Sequence, residues 1–281
     1  MNINFRNIAK FIAALAGVAA TFSCSKELAP DPEDVHIQHS ITAKATMPQD
    51  NTWVANDEIK INNGNSLTAH ALLNNNKTAE FSGTVEPYRE SAAAGADDIY
   101  WAVYPTTIYG SSNNHNLTIT FPASQSIDSN VYIAGYEKIA HDNYYVDFEM
   151  KNLGAQLQLT LKSTTEKVIT SLVFHTMESG KYLSGQYTVS ASDLTSNGNF
   201  SMPSSGGDIT VNLGSGITIN SSSSNTVYVI FPPIDASANA IKMTVYANDD
   251  THATTYITQN FQRSKAYPGE NTFSSWTTNS K

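Results

Sequence analysis

The sequence predicts an all-β protein, and three observations carry that expectation. The first is strict alternation: Leu153, Ala155, Leu157, Leu159 and Leu161 are separated by Gln156, Gln158 and Thr160. Successive side chains of a strand point to opposite faces, so this segment has one apolar face and one polar face. The second is composition. Apolar residues make up 40% of the 281 residues and charged residues only 15%, against about 25% charged in an average soluble domain. Thr and aromatic residues suit strands, and Asn and Ser suit turns. The third is an absence of helical signal, for no long amphipathic pattern follows residue 34. Many short strands with regular turns point to sandwiches or barrels.

The chain opens with an address. Arg6 and Lys10 form a positive region without acids, Phe11 to Ala20 is apolar, and Thr21-Phe22-Ser23-Cys24 follows. The apolar stretch is shorter than the ~20 residues a spanning helix needs, so residues 1–23 read as a secretory signal peptide. Cys24, the single cysteine, excludes an intrachain disulfide and a multi-cysteine zinc site. Its place resembles the lipobox of bacterial lipoproteins, in which that cysteine is acylated and begins the mature chain. Two or more acyl chains hold a protein stably at a membrane. Residues 24–34, with Lys26, Glu27, Asp31, Glu33 and Asp34 among prolines, then form a lipidated tether. They resemble the lysine-plus-acidic export signals of surface lipoproteins of gut anaerobes.

The expected strands follow in order: Val35–Ala45, Glu58–Ile61, Leu67–Leu73, Ile99–Tyr104, Leu117–Phe121 and Tyr144–Met150. The second series is Val168–His175, Gly185–Val189, Ile209–Leu213, Thr226–Phe231, Ile241–Tyr246 and Thr254–Phe261. Asn- and Gly-rich turns separate them. A short helix is expected around Tyr88–Gly95. Tyr100-Trp-Ala-Val-Tyr104-Pro105 is echoed by Val227-Tyr-Val-Ile-Phe231-Pro232, each an apolar strand stopped by proline. The echo suggests two similar halves, residues 35–145 and 146–281.

Chemistry is sparse. The formal charge is −9 and no run of Lys or Arg occurs, which disfavours nucleic acid as a partner. His36 and His39 lie three apart in a strand and face opposite ways. Asn62-Asn63-Gly64-Asn65 lacks the aspartates and the glutamate of a calcium loop and reads as a turn. Gly180-Lys181 lacks the spacing of a phosphate-binding loop, and adjacent Asp97 and Asp98 face opposite sides of a strand. No catalytic residue, metal ligand or cofactor site is assigned, and the chain is not expected to be an enzyme. Two aromatic clusters, Tyr100, Trp101, Tyr104 and Tyr109, and Tyr132, Tyr136, Tyr144 and Tyr145, fit either a core or a sugar-binding platform.

Several segments in order resemble the fimbrillin family, lipoprotein pilins of oral and gut anaerobes. They are Trp53-Val-Ala-Asn-Asp57-Glu-Ile59-Lys-Ile61, Phe81-Ser-Gly83, Tyr100 to Pro105 and Phe121-Pro-Ala-Ser-Gln125. Val146 to Ala155, Leu183-Ser-Gly185, Val229 to Pro232 and Ala266 to Phe273 continue the series. The resemblance implies two tandem transthyretin-like Greek-key β-sandwich domains on the outer membrane. It implies a fimbrial subunit that assembles by donor-strand exchange and contributes to adhesion. A protease would remove the first strand after a basic residue, and a strand of the next subunit would fill the groove. Lys44 is the Lys or Arg available between Glu27 and Ile59 and is the candidate processing site, although the family's site typically has arginine. The partners implied are other fimbrial subunits, the outer membrane through Cys24, and surface glycans or proteins. The alternative is a non-polymerising surface lipoprotein that binds glycan.

Overall fold

The computed structural model describes residues 38–48, 51–91, 93, 95–126, 131–196, 200–201 and 203–279. The signal peptide, Cys24, the tether and the first residues of the expected opening strand lie outside them. Among the described residues no helix is long and apolar enough to cross a membrane.

The first half contributes β1 (His39–Thr46), β2 (Glu58–Ile61), β3 (Asn65–Leu73), β4 (Thr78–Val85), β5 (Tyr88–Arg89) and β6 (Asp98–Tyr104). It continues with β7 (Tyr109–Ser112), β8 (Asn116–Phe121), β9 (Ser124–Ser126), β10 (Ile133–Ile139), β11 (Tyr145–Glu149) and β12 (Lys151–Asn152). The second half contributes β13 (Ala155–Ser163), β14 (Lys167–Thr176), β15 (Ser184–Ser190), a short helix α1 (Ala191–Thr195), β16 (Gly206–Gly207) and β17 (Ile209–Ile219). It ends with β18 (Asn225–Phe231), β19 (Ile234–Asp235), β20 (Ile241–Ala247), β21 (Thr251–Ile257), β22 (Asn260–Phe261), β23 (Ala266–Phe273) and β24 (Thr277–Thr278).

In the first half the order is β11-β1-β4-β3-β2-β6-β10-β12, with β5 beside β6. β3 pairs with β2 through its first residues and with β4 through its last, with an irregularity between Ala69 and Ala71. A bulge of this kind bends a strand, so β3 turns the corner between two layers. The layers enclose a first core of Ile41, Ala43, Ala45, Trp53, Ile59, Ile61, Phe81 and Phe148.

β6 is buried on both faces. Tyr100 and Ala102 face the first core, while Ile99, Trp101 and Val103 face a middle core. This explains its nearly unbroken apolar sequence, which is what a two-sided strand requires. The middle core is closed by the sheet β16-β15-β8-β7 and by Leu194 of α1. β8 comes from the first half and β15 from the second, and they pair antiparallel from Asn116↔Ser190 to Phe121↔Gly185.

The second core lies between the sheet β18-β13-β23 and the sheet β24-β21-β20-β14-β17-β9. Ala155, Leu157, Leu159 and Leu161 of β13 all face it, as the alternation predicts. Phe174, Phe231 and Phe261 stack edge to face at 5.2 and 4.9 Å, a favourable aromatic geometry.

One expectation needs correction. Tyr88–Arg89 is a strand paired with Ile99 and Asp98, so the expected helix does not form there. The helix instead starts at Ser190, whose hydroxyl accepts from the Asp193 amide and caps its N-terminus. The expected strand Tyr144–Met150 corresponds to β11, and it joins the first half by pairing in parallel with β1. The first core therefore runs on to Met150, and the second begins at Ala155.

Candidate functional site

β1 is the described strand on which the candidate processing residue sits. Its burial alternates: His39, Ile41, Ala43 and Ala45 are buried, and Ser40, Thr42, Lys44 and Thr46 face outward. The buried face is small, with two alanines contributing one methyl each. At about 25 cal/mol per Å² of apolar surface, such a face contributes far less than a Leu- or Phe-lined strand.

Backbone pairing supplies the rest. β1 is antiparallel to β4 along its whole length and parallel to β11 from Thr42 to Thr46. Lys44 thus lies opposite Glu80 on one side and Asp147 on the other. Its ammonium lies 3.4 Å from the Glu80 carboxylate, and its side chain is half exposed. The side chain is accessible while the following peptide bond is enclosed by two neighbouring strands. A protease needs an extended, unpaired substrate segment, so the bond after Lys44 becomes available only when β1 leaves its place. Trp53 opposes that departure: its indole N–H donates to the Ala45 carbonyl at 2.8 Å.

The first residue of β1 is held by a polar cluster. Asp98 is fully buried, and its carboxylate lies 3.5 Å from His39 Nδ1 and 3.3 Å from His141 Nδ1. A buried carboxylate requires donors, and the His141 imidazole supplies one; His39 Nδ1 lies within 3.5 Å of the Tyr100 hydroxyl as well. Asp97, one residue earlier, faces outward toward Lys138 at 3.6 Å. The two acids therefore lie on opposite faces, as expected, and do not form a pair.

The remaining sequence candidates have structural duties. The Asn62 side-chain amide donates to the carbonyls of Glu86 and Ile99 at 3.0 and 2.9 Å, and its oxygen accepts from the Trp101 amide at 2.8 Å. Gly64 takes φ +79° beneath the Tyr109 ring, where a Cβ would lie 3.1 Å from the ring, which fixes glycine at this turn. Among the described residues no group of three or more His, Cys, Asp or Glu is placed to hold a metal.

The aromatic clusters serve the cores. Tyr100 and Trp101 are fully buried, and Trp101 packs on Tyr136 at 4.8 Å. Tyr104 donates to Asp57 at 3.2 Å. Burial, followed by the charge of Asp57, pushes the Tyr104 phenol up to about 12. Of the eight aromatics, Tyr144 and Tyr145 are the exposed members. Tyr144 packs edge-on against the His39 ring at 5.4 Å, whereas Tyr145 opens β11 with its side chain exposed.

Sequence reasoning missed a connection between the halves. Gln125 on β9 is buried, donates to the Ile230 carbonyl at 2.8 Å and accepts from the Ile230 amide at 3.0 Å. The side chain thereby acts as a substitute strand partner for β18. The Phe-Pro-Ala-Ser-Gln segment marked the residue without revealing its partner. Arg263 is a second missed residue. Its guanidinium donates to the carbonyls of Asp193, at 2.6 Å, and of Leu194, at 2.8 Å, and also to that of Ser196. It satisfies the open C-terminal end of α1.

A polar cleft of about 300 Å³ opens between the end of β12 and the start of β13, beside Tyr132 and Lys265.

No family model matches the chain, and no curated protein matches it. Solved structures do resemble it. One is a "putative cell adhesion protein" from Bacteroides uniformis, 15% identical, with TM-score 0.49, covering 84% of this chain and 93% of that one. Another of the same description, from Bacteroides ovatus, is 15% identical with TM-score 0.46 over 86% of this chain and 95% of that one. A fimbrial assembly protein from Parabacteroides distasonis is 7% identical with TM-score 0.41 over 83% and 91%. The chain is all-β in several sheets and is similar in that respect to these adhesion and fimbrial proteins. A likeness this distant assigns no residue a role.

Proposed function

We propose that the chain is a structural or accessory subunit of a surface fimbria, held at the outer membrane through acylated Cys24. In this reading it is made of two transthyretin-like sandwiches, with the chain passing from one to the other between Met150 and Ala155. It assembles with other fimbrial subunits by donor-strand exchange, contributes to adhesion and performs no catalysis. The observation that carries the reading is the seat of β1. This strand combines pairing along both edges with a small buried face, so a better-filled strand from another subunit competes on favourable terms. Lys44 is the proposed processing residue, and the geometry favours cleavage on a chain whose β1 has left the sheet.

The test is the N-terminus and intact mass of the protein from native outer membrane and from sheared surface fibres. A start after Lys44 in high-mass ladders is the expected result for a polymerising subunit. A start at acylated Cys24 with no ladder overturns polymerisation and leaves the alternative, a non-polymerising surface lipoprotein that binds glycan. The polar cleft beside Tyr132 is the observation that favours that second reading.

A further inference from the structure

The cleft between the end of β12 and the start of β13 is lined by amides and one cation. Asn51, Asn152, Gln156 and Gln158 bring amides to its wall, and Lys265 brings a cation, while no Asp or Glu lines it. In a chain of formal charge −9, a recess with a cation and no acid favours an anionic group.

Tyr132 supplies an independent sign. It lines the cleft with only 7% of its surface exposed, yet its hydroxyl makes no hydrogen bond to a described residue. The hydroxyl is also absent from the fully enclosed atoms that lack a partner, of which Arg263 Nε is the described case. It therefore keeps contact with solvent, and the residue lines the cleft. Burial pushes the phenol up to about 12, so it stays protonated and able to donate at neutral pH. Buried polar groups ordinarily find partners. A donor held ready in a recess of about 300 Å³ is what a small polar ligand requires.

We infer that this cleft binds one acidic sugar residue, its ring hydroxyls meeting the amides and the Tyr132 hydroxyl and its carboxylate meeting Lys265. Side-chain amides carry donor and acceptor together and so match adjacent ring hydroxyls, each of which both donates and accepts. Lys265 donates to Gln262 and is exposed, so its ammonium has remaining donors for a carboxylate. The inference rests on the glycan-binding reading and names its ligand class; polymerisation is not required for it.

The test is ligand-observed NMR titration of the purified protein with methyl glucuronide, the methyl glycoside of N-acetylneuraminic acid, and neutral methyl glucoside and methyl galactoside. The expected result is saturable binding of at least one acidic sugar, at least fivefold tighter than either neutral one. Tyr132→Phe keeps the ring and removes the donor, and it is expected to weaken acidic-sugar binding by roughly three- to tenfold. Lys265→Gln, at an exposed position that leaves the cores intact, is expected to remove the preference for acidic sugars. Tyr256→Phe, on exposed β21, is the control expected to change nothing. Neutral sugars binding as tightly as acidic ones, with Lys265→Gln silent, overturn the acidic assignment and leave glycan binding standing. No saturable binding by any of the four sugars overturns both. Binding unchanged by Tyr132→Phe and by Lys265→Gln overturns the assignment to this cleft.

Discussion

Gln125 shows how much one side chain can join. It makes two bonds to the backbone of Ile230, 105 residues away, inside the protein. Replacing it with leucine keeps the volume and orphans a buried amide and carbonyl. The expected cost is about 1–3 kcal/mol, read as a lower urea midpoint at unchanged slope. The buried phenols predict an alkaline weakness. Tyr104 and Tyr132 are each pushed up to about 12, and Tyr100 and Tyr187 are also raised, in every case mainly by burial. A raised phenol contributes its stability in full below pH 10 and loses it as the pH climbs through the folded value. Stability is therefore expected to fall from pH 10 toward 12, with tyrosinate absorbance appearing together with the loss of β-sheet circular dichroism. Tyrosinate formation well ahead of unfolding would show that these hydroxyls ionise in the native fold. The Gln125 bridge and the burial of these phenols were not legible in the sequence, although Tyr100, Tyr104 and Tyr132 stood among its candidate platform residues. On sequence alone Tyr100 and Trp101 fit a core or a platform, because an aromatic side chain carries no mark of which side of a strand is wet.

The strands themselves were largely legible. β2 matches its expected bounds, and β6, β8, β14, β18 and β20 match within a residue or so, because one apolar face against one polar face leaves a period of two. β4, β7 and β10 were missed. Glu80, Ser82, Gly83 and Thr84 dilute β4, and Gly135, Glu137 and Lys138 interrupt β10. Those strands are fixed by neighbours rather than by their own pattern, β4 by β1 and β3, and β10 by β6. The expected helix at Tyr88–Gly95 failed for the same reason, since pairing with β6 decided the conformation of Tyr88 and Arg89. At this scale the testable element is β1. Trp53→Phe keeps a ring in the first core and deletes the bond to Ala45, a loss of about 1 kcal/mol. Hydrogen exchange of the β1 amides is expected to quicken by roughly fivefold, and trypsin cleavage after Lys44 by a similar factor where cleavage is slower than reclosing. If trypsin cuts after Lys44 at a rate indifferent to this substitution, cleavage does not depend on β1 leaving the sheet.

The two halves share more than a linker. β8 of the first pairs with β15 of the second, and β9 of the first lies parallel to β17. The sequence echo between Tyr100–Pro105 and Val227–Pro232 suggested two units side by side. It carried no sign of this exchange, because pairing between distant strands leaves no local periodicity. The halves are therefore expected to melt together, in one calorimetric transition whose measured and van't Hoff enthalpies agree. Two resolved transitions would show that the shared sheet is a weak joint. The same sheet also sets an order of events as the chain emerges during synthesis. Trp101 and Leu117 wait for Tyr187 and Val189 to cover them, so the first half stays incomplete until well over half the protein has appeared. Pairings this far apart in sequence make folding slow. During that interval the unfinished first half presents unpaired strands, and the chain remains open to a chaperone or carrier before it closes on itself.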